Sequence, residues 1–423
     1  MRLLCLSNGH GEDAIAVSIL KALQALPQPI HIDVLPIVGE GHAYEKHGFS
    51  MIGTVKAMPS GGFIYMDGQQ LAKDIQGGLL TLTLEQLKTI RQWAQVAKRS
   101  GEPALVLAVG DVVPMFFAWQ SGLPFAFVGT AKSDYYLRDE SGLLVRSSWW
   151  DDRFAYWTGS VYYPWERWFM TRKSCKAVFP RDRITADTLQ NLGVPAYNLG
   201  NPMMDLDLSW VVQTGSDSAL TILLLPGSRS PEVYRNWEVM VTGVQDVCAK
   251  FDRSVQFLVA LSPGLERDRF ERALRQAGWE LDSEKLDFEK LDDRAGHEWN
   301  FQGPEVVFHL TLGGGSFSEY AYRAEVAIAM AGTATEQFVG LGKPVLTLPG
   351  EGPQFTAAFA EAQTRLLGSS VLHLKAPSQI ASCLRQLLRN PGELGNIATN
   401  GRRRMGPSGA ADRIAQTLIE ILR

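Results

Sequence analysis

VAIAMAGTATEQFVGLGKPVLTLPG, residues 326–350, carries the strongest structural signal in this chain because it predicts a strand, a turn, a helix and a second strand in succession. Residues 326–330 form a short apolar run that is typical of a buried parallel strand. The small residues 331–333 form a turn into a helix that Thr333 or Thr335 is expected to cap. Such a turn offers backbone N–H groups to an anion, although ordinary strand–helix turns in α/β proteins have the same pattern.

Apolar strands and amphipathic helices alternate along the rest of the chain, which predicts parallel sheets covered by helices on both faces. The predicted strands are 2–7, 31–38, 104–109, 125–128, 177–179, 194–199, 221–225, 255–261, 306–312, 326–330, 345–348 and 371–374. The predicted helices are 14–26, 79–100, 112–120, 181–191, 233–251, 265–277, 333–342, 354–367, 379–388 and 410–422. A charge-rich insertion at 280–294 is expected to be solvated.

A polar stretch with little periodicity, residues 205–218, predicts a linker between two domains. The expected divisions are a Rossmann-like domain at 1–205, a second at 219–400, and a basic segment with a terminal helix at 401–423 that packs back on the first domain. The predicted fold class is therefore α/β, with two Rossmann-like parallel-sheet domains facing across a cleft. Open parallel sheets bind ligands at the carboxyl ends of their strands.

Composition excludes several classes of function. The 423 residues carry a net charge of -4, and no basic run alternates with aromatics, so no nucleic-acid partner is expected. The four cysteines are far apart, which fits a reducing compartment and argues against a zinc site. The first residues turn polar too early for a signal peptide, and prolines interrupt the longest apolar region, residues 112–128, so a cytoplasmic location without a membrane-spanning helix is expected.

Aromatic residues concentrate in residues 147–173, with arginine and lysine between them. This composition suits contact with a membrane interface, and the alternative is that the rings pack inside a domain or form an acceptor pocket. The tryptophans concerned are Trp149, Trp150, Trp157, Trp165 and Trp168.

Three polar residues near the ends of predicted strands are candidates for catalysis. Asp111 follows the strand at 104–109 and is either a general base or a helix N-cap. His10 lies in the loop after the first strand and is either a second candidate base or a histidine bonded to backbone. Glu12 either orients the base or favours the helix dipole.

Two blocks in the second half of the chain have the pattern of known sequence motifs. Residues 223–233, LLLPGSRSPEV, resemble the Leu-Pro-Gly-Ser-Arg block of lipid-A-disaccharide synthases, and residues 331–336 resemble the Ser-Gly-Thr-Ala-x-x-Glu segment of these enzymes. The chain therefore resembles a divergent, related member of that family. Residues 200–202 with Asp205 fall where the family crosses between domains, and Gly110-Asp111 where it has a catalytic aspartate. The N-terminal loop departs from the family's Gly-Glu-x-Ser-Gly-Asp, and its histidine is closer to the related peptidoglycan N-acetylglucosaminyltransferase.

The resemblance implies the B-type glycosyltransferase fold, with a UDP-sugar donor bound in the second domain and an acceptor in the first. Arg229 would then bind the pyrophosphate through a bidentate fork, and its alternative is a surface salt bridge. No metal or other cofactor is expected, because fixed dipoles suffice for the leaving diphosphate and the lone Asp-x-Asp, residues 205–207, lies in the presumed linker. The implied donor-binding residues are Gly227, Ser228, Arg229, Gly332, Thr333, Ala334, Thr335, Glu336 and Gln337.

Three functions follow as hypotheses. The first is an inverting glycosyltransferase that moves an N-acetylglucosamine-type sugar from UDP to a lipid-linked acceptor, peripherally at the inner face of the cytoplasmic membrane. The second is a UDP-N-acetylglucosamine 2-epimerase, which shares this fold and would need a carboxylate-rich site. The third is a non-catalytic nucleotide-sugar-binding protein.

The basic run near the end of the chain would bind anionic lipid or acceptor phosphates, or form a solvated surface. Its residues are Arg402, Arg403 and Arg404.

Overall fold

The computed structural model describes residues 1–56, 79–144, 157–205, 219–251, 254–282, 296–303, 306–350 and 355–422. The chain divides into two compact units. Unit 1 comprises Met1–Asp205 with Gly406–Arg423, and unit 2 comprises Leu206–Met405.

The strands of unit 1 are β1 (Arg2–Ser7), β2 (His31–Pro36), β3 (Ser50–Met51), β4 (Ala104–Gly110), β5 (Phe125–Gly129), β8 (Cys175–Pro180) and a small hairpin of β6 (Arg138–Asp139) and β7 (Gly142–Leu143). The helices of this unit are His10–Gln24, His42–Lys46, Leu79–Ser100, Val112–Gln120, Pro164–Met170, Arg183–Asn191 and Ala410–Leu422. The main sheet has the strand order β3-β2-β1-β4-β5-β8, and all neighbouring strands in it are parallel.

Two hydrophobic clusters cover the faces of this sheet, because successive side chains of a strand point to opposite sides. Leu4 and Leu6 pack on one face with the helices Leu79–Ser100 and Val112–Gln120. Leu3 and Cys5 pack on the other face. All four side chains are fully buried, which explains the continuous apolar run of β1.

The strands of unit 2 are β9 (Leu220–Leu225), β10 (Val255–Val259), β11 (Glu280–Leu281), β12 (His297–Gln302), β13 (Val307–Leu312), β14 (Val326–Ala329), β15 (Val345–Thr347) and β16 (Val371–His373). They form one sheet with the order β11-β12-β13-β10-β9-β14-β15-β16, which is parallel except where β12 pairs with β11 and β13. The helices are Glu232–Lys250, Arg267–Gln276, Phe317–Arg323, Thr333–Gly340, Ala357–Leu367, Ile380–Leu388 and Pro391–Met405.

The C-terminal helix Ala410–Leu422 belongs to unit 1, where its apolar side shares a hydrophobic cluster with helix His10–Gln24. Asp205, at the start of the predicted linker, caps this helix. Its carboxylate accepts hydrogen bonds from the backbone N–H groups of Gly409, Ala410 (3.1 Å) and Ala411 (2.7 Å). A carboxylate at a helix N-terminus satisfies donors that the helix leaves unpaired.

The basic residues at 402–404 lie in the last turn of helix Pro391–Met405, a helix that is not among the predicted ones, and not in a segment outside the second domain. Arg404 is buried and donates to the carbonyl oxygens of Arg365 (2.7 Å) and Leu366 (2.9 Å). For Arg404, both the anion-binding and the solvated-surface predictions are therefore wrong. The guanidinium instead satisfies carbonyl groups at the end of helix Ala357–Leu367.

Other predictions also need correction. Residues 194–199 form no strand, and only an isolated bridge joins Val178 to Ala196. The predicted insertion at 280–294 begins with the short strand β11, and residues 283–295 lie outside the described residues, as do linker residues 206–218.

In the part of the chain that is described, no helix is both long and apolar enough to cross a membrane.

Candidate active site

Three neighbouring parallel strands of unit 1 end at the same edge and bring the first group of candidate residues together. Ser7 of β1 is in register with Val109 of β4, and Gly110 of β4 is in register with Gly129 of β5. The residues that follow these strands therefore emerge side by side, as expected for a binding edge of a parallel sheet.

The first helix begins earlier than predicted, at His10, so His10 and Glu12 lie in its first turn and not in a loop. Gly9 is the N-cap and has φ of 132°, a left-handed conformation that favours glycine. The side chain of His10 lies outside the described part of the structure, so its proposed role as a base stays a prediction.

A buried chain of hydrogen bonds holds this first turn. The Tyr44 hydroxyl donates to Ser7 Oγ (2.6 Å), which donates to Asp13 Oδ1 (2.5 Å). Burial raises the pKa of Asp13 to about 6, against the opposing effect of hydrogen bonds from Ser7 and from the backbone of Gly9. These bonds position the turn that carries Glu12.

Glu12 reaches across to the ends of β4 and β5. The Thr130 hydroxyl donates to its Oε1 at 3.3 Å. A Cβ atom at Gly110 would lie 3.3 Å from Glu12 Cγ and 3.2 Å from Asn8 Cβ, so glycine at this position permits the close approach. Gly110 also has φ of 130°, which disfavours any other residue.

Asp111 is the N-cap of helix Val112–Gln120, and its Oδ1 accepts from the Val113 N–H at 2.8 Å. Burial raises the pKa of Asp111 to about 6, and the hydrogen bond from Val113 opposes this effect. Neighbouring charges act as well, since Glu12 and Glu166 raise the pKa and Lys132 lowers it. A carboxyl group with a pKa near neutral suits proton transfer better than an ordinary aspartate.

An ion pair between Lys132 and Glu166, which no sequence pattern predicts, belongs to this cluster. Lys132 Nζ lies 2.7 and 2.5 Å from the two carboxylate oxygens of Glu166, whose side chain is only 1% exposed. Glu166 also accepts from the Tyr163 N–H at 2.9 Å. Pro164 at the first helical position and Glu166 in the first turn are a signal for a helix start. Because the partner lysine is 34 residues away, no local pattern indicates the pair.

The helix that carries Glu166 also carries exposed aromatic rings. Trp165 is 54% exposed and stacks on Tyr163 at 4.6 Å between ring centroids. Trp168 is 42% exposed, contacts Trp119 at 5.5 Å and lies under the Arg172 guanidinium at 3.9 Å.

The described tryptophans of the aromatic stretch are thus at the surface. Trp157 is 70% exposed. The alternative that Trp157, Trp165 and Trp168 pack inside a domain is therefore wrong. Trp149 and Trp150 lie outside the described residues.

In unit 2, the turns after β9 and β14 lie side by side because these strands are parallel neighbours, with Leu225 in register with Ala329. Asn236 links the two turns, since its Nδ2 donates to the carbonyl oxygen of Pro226 at 2.9 Å and approaches that of Met330 at 3.5 Å. Gly227 has φ of 109° and makes the close turn possible.

The predicted donor-binding residues follow these two turns. Gly227 is half-buried, and Ser228 and Arg229 are exposed after β9. After β14, Thr335 and Glu336 are buried, Thr333 is exposed, and the other three are half-buried: Gly332, Ala334 and Gln337. The structure therefore brings both groups to one edge of the sheet of unit 2.

The cap predicted for helix Thr333–Gly340 is wrong. Gly332 is the N-cap, and the described residues show no side-chain cap hydrogen bond at this helix start. The Thr335 hydroxyl instead donates to the carbonyl oxygen of Ala331 (2.6 Å), as does Gln363 Nε2 (3.0 Å). An N-terminus without a side-chain cap keeps its backbone N–H groups available for an anion.

The turn after β13, which leads into helix Phe317–Arg323, has a structural role. Gly313 and Gly314 have φ of 78° and 81°, and Ser316 caps helix Phe317–Arg323 by accepting from the Glu319 N–H at 3.2 Å. The predicted donor-binding residues lie in the turns after β9 and β14 and not in this one.

Comparison with known proteins shows the fold. No protein-family model matches the chain, and no curated protein sequence matches it. A putative UDP-N-acetylglucosamine 2-epimerase from Listeria monocytogenes has a TM-score of 0.55 at 14% identity, covering 99% of this chain and 95% of its own. The S. aureus MnaA–UDP co-structure has a TM-score of 0.55 at 12% identity, covering 100% of this chain and 96% of its own. Acinetobacter baumannii MurG has 0.54 at 10% identity, covering 99% of both chains.

These likenesses extend over nearly the whole chain, and at such identities they inform the fold alone. They confirm the predicted fold class, two α/β domains with parallel sheets of the glycosyltransferase B type. These similarities do not show a relation to lipid-A-disaccharide synthases in particular.

The electrostatic arrangement around Asp111 predicts how its titration responds to its neighbours. Carbon-13 NMR of labelled aspartates should give Asp111 a pKa of about 6. Glu12→Gln should lower this pKa because it removes a negative charge, and Lys132→Gln should raise it because it removes a positive charge. Asp187→Asn, an exposed charge change in the same unit, is the control and should leave it unchanged. An Asp111 that titrates as an ordinary aspartate would contradict the described burial.

Proposed function

We propose that this protein is an inverting glycosyltransferase that moves an N-acetylglucosamine-type sugar from UDP to a lipid-linked acceptor. The observation that carries the proposal is the helix Pro164–Met170. It directs Glu166 inward to Lys132, in the electrostatic neighbourhood of Asp111, and presents Trp165 and Trp168 to solvent. A carboxylate group suited to activating a hydroxyl thus adjoins a surface suited to lipid.

In this proposal Asp111 is the general base. It takes the proton of the acceptor hydroxyl while the oxygen attacks the anomeric carbon, and the bond from that carbon to the UDP oxygen breaks. Asp111 Oδ1 is engaged by the Val113 N–H, and among the described residues no hydrogen bond occupies Oδ2. Glu12 keeps the pKa of Asp111 high, and the Lys132–Glu166 pair fixes the surroundings of the base.

The donor would be bound in unit 2. Its diphosphate fits the backbone N–H groups at the start of helix Thr333–Gly340, together with the exposed side chains of Ser228 and Arg229. Fixed donors of this kind stabilise the charge that develops on the leaving diphosphate. The solved relatives include proteins whose names or ligands refer to UDP-N-acetylglucosamine or UDP, which supports this choice of nucleotide.

A second candidate function is a UDP-N-acetylglucosamine 2-epimerase. The grouping of Glu12, Asp111 and Glu166 gives the carboxylate-rich site that such an enzyme needs. Several similar solved structures carry that name. The exposed tryptophans favour the transferase, because an epimerase acting on a soluble sugar nucleotide has no use for a lipid-facing surface.

The donor site predicts selective stabilisation by uridine nucleotides. UDP at a hundred times its dissociation constant should stabilise the native state by about 2.7 kcal/mol, with a matching rise in melting temperature. Arg229→Ala should abolish the rise, whereas Arg389→Ala, which removes an exposed arginine elsewhere in unit 2, should retain it. Equal shifts with UDP, GDP and ADP would contradict a uridine site, and no shift with any nucleotide would favour a different ligand.

The base assignment predicts a defined pH dependence. Asp111→Asn retains a capping residue and should still fold, but sugar transfer should fall by about 10²–10⁴-fold. In the native enzyme, kcat/KM should increase as the pH is raised through about 6, because Asp111 accepts a proton only once it is ionised.

Asp187→Asn serves as the control for this variant and should retain activity. Turnover that survives Asp111→Asn would overturn the base assignment. Conversion of UDP-N-acetylglucosamine to a second sugar nucleotide without any acceptor would establish the epimerase instead.

If the exposed rings of Trp165 and Trp168 contact lipid, the protein should bind phospholipid vesicles through them. Trp165→Ser with Trp168→Ser should weaken sedimentation with phospholipid vesicles by at least about tenfold, because burial of a large apolar side chain is worth about 1.5–3 kcal/mol. Leu84→Ser removes another exposed apolar side chain of unit 1 (69% exposed) and should have little effect. Unchanged sedimentation of the tryptophan variant would place the lipid contact elsewhere.

A further inference from the structure

A groove of about 290 Å³ lies between two helices on the surface of unit 2. The helices are Glu232–Lys250 and Arg267–Gln276, which pack through Trp237 and Phe270 at 5.4 Å between ring centroids. The polar and aromatic side chains that line the groove are Tyr234, Arg235, Glu238, Arg269, Arg272 and Gln276.

The spacing of the lining residues concentrates positive charge on the groove. Arg269, Arg272 and Gln276 are three and four residues apart, so they share one face of their helix. Arg235 faces them from the other helix, and Glu238 is the single carboxylate among the described residues that line the groove. Three guanidinium groups therefore face one carboxylate.

The groove arginines differ in their ionic partners from Arg267 and Arg275, two other arginines of helix Arg267–Gln276. Arg267 contacts His297 at 3.1 Å, and Arg275 is 2.9 Å from Glu271. Within the described residues, by contrast, Arg235 and Arg272 form no ion pair, and the pair of Arg269 with Glu266 is 3.9 Å long between exposed groups. Such an exposed pair contributes little to stability. The groove thus holds cationic groups without close anionic partners.

One of the three guanidinium groups is held in place. Arg269 lies over the ring of Tyr234, 4.4 Å from its centroid, and the Tyr234 hydroxyl accepts from the Glu266 N–H at 2.9 Å. A stacked guanidinium keeps its edge N–H groups free to form a bidentate contact. The planar fork of arginine matches the oxygens of a phosphate group.

We propose that this groove is a second anion site of the protein and binds a phosphate-bearing ligand. The ligand is the headgroup of an anionic phospholipid or a soluble phosphate compound, which share the same recognition chemistry. Pro231, two residues after Arg229, also lines the groove, so the site lies next to the turn that follows β9. It does not depend on UDP being the donor.

Inorganic pyrophosphate is the probe for the site, titrated by calorimetry into the full chain with and without saturating UDP. A binding event should remain when UDP is saturating. Arg235→Gln with Arg272→Gln should weaken that event by about tenfold for each arginine removed. Gln276→Glu, a nearly isosteric change at an exposed position, should also weaken it by adding negative charge.

Arg385→Gln with Arg389→Gln is the matched control, because it removes two exposed arginines from unit 2 outside the groove, and it should bind as the native protein does. Sedimentation with phosphatidylcholine vesicles, with and without phosphatidylglycerol, separates the two sources. Groove-dependent binding to the anionic vesicles assigns the headgroup, and pyrophosphate binding without vesicle binding assigns a soluble phosphate compound. Pyrophosphate affinity unchanged in the groove variants, or lost in Arg229→Ala alone, would overturn the proposal.

Discussion

The pairing of backbone groups along parallel strands determines where this protein can place polar side chains. In the parallel part of each sheet, strands such as β4 and β14 are paired with neighbours on both edges and carry buried apolar side chains on both faces. Burial of an unpaired polar group there costs free energy, so polar side chains collect where the strands end. In unit 1 this edge holds Glu12, Asp111 and Thr130, and in unit 2 it holds the turns after β9 and β14.

Glycines set how closely these polar residues can approach. At Gly129, a Cβ atom would lie 2.0 Å from the hydroxyl of Tyr162, so any larger residue must displace that ring. Tyr162 in turn lies under Lys132, with Nζ 5.6 Å from its ring centroid. The position of the lysine that pairs with Glu166 therefore depends on a residue without a side chain at the end of β5. Gly227 acts differently, because a Cβ atom there would be in ordinary contact, 3.4 Å from the Met330 carbonyl oxygen, and it is the φ of 109° that favours glycine.

The sequence predicts the elements that have a strong period and misses contacts that are distant along the chain. Helix Leu79–Ser100 and strands β1 and β14 lie where their apolar patterns place them, since both faces of the buried strands are apolar. Strand β12 was missed because its polar residues pair antiparallel at one side of the sheet, where a continuous apolar run is not required. The ion pair of Lys132 with Glu166 was missed because nothing local marks it. Capping by Thr333 or Thr335 was wrongly expected, since Thr335 bonds a carbonyl group instead.

The two interpretations of Asp111, helix cap and general base, are compatible in this structure. One oxygen caps helix Val112–Gln120, which fixes the carboxyl group at the end of β4 and leaves the other oxygen for a proton. The cap alone would lower the pKa, but burial and the charges of Glu12 and Glu166 outweigh it and raise the value to about 6. The same contact that holds the carboxyl group in place thus leaves it basic enough to accept a proton near neutral pH, and the nearby Lys132 limits how far the pKa rises.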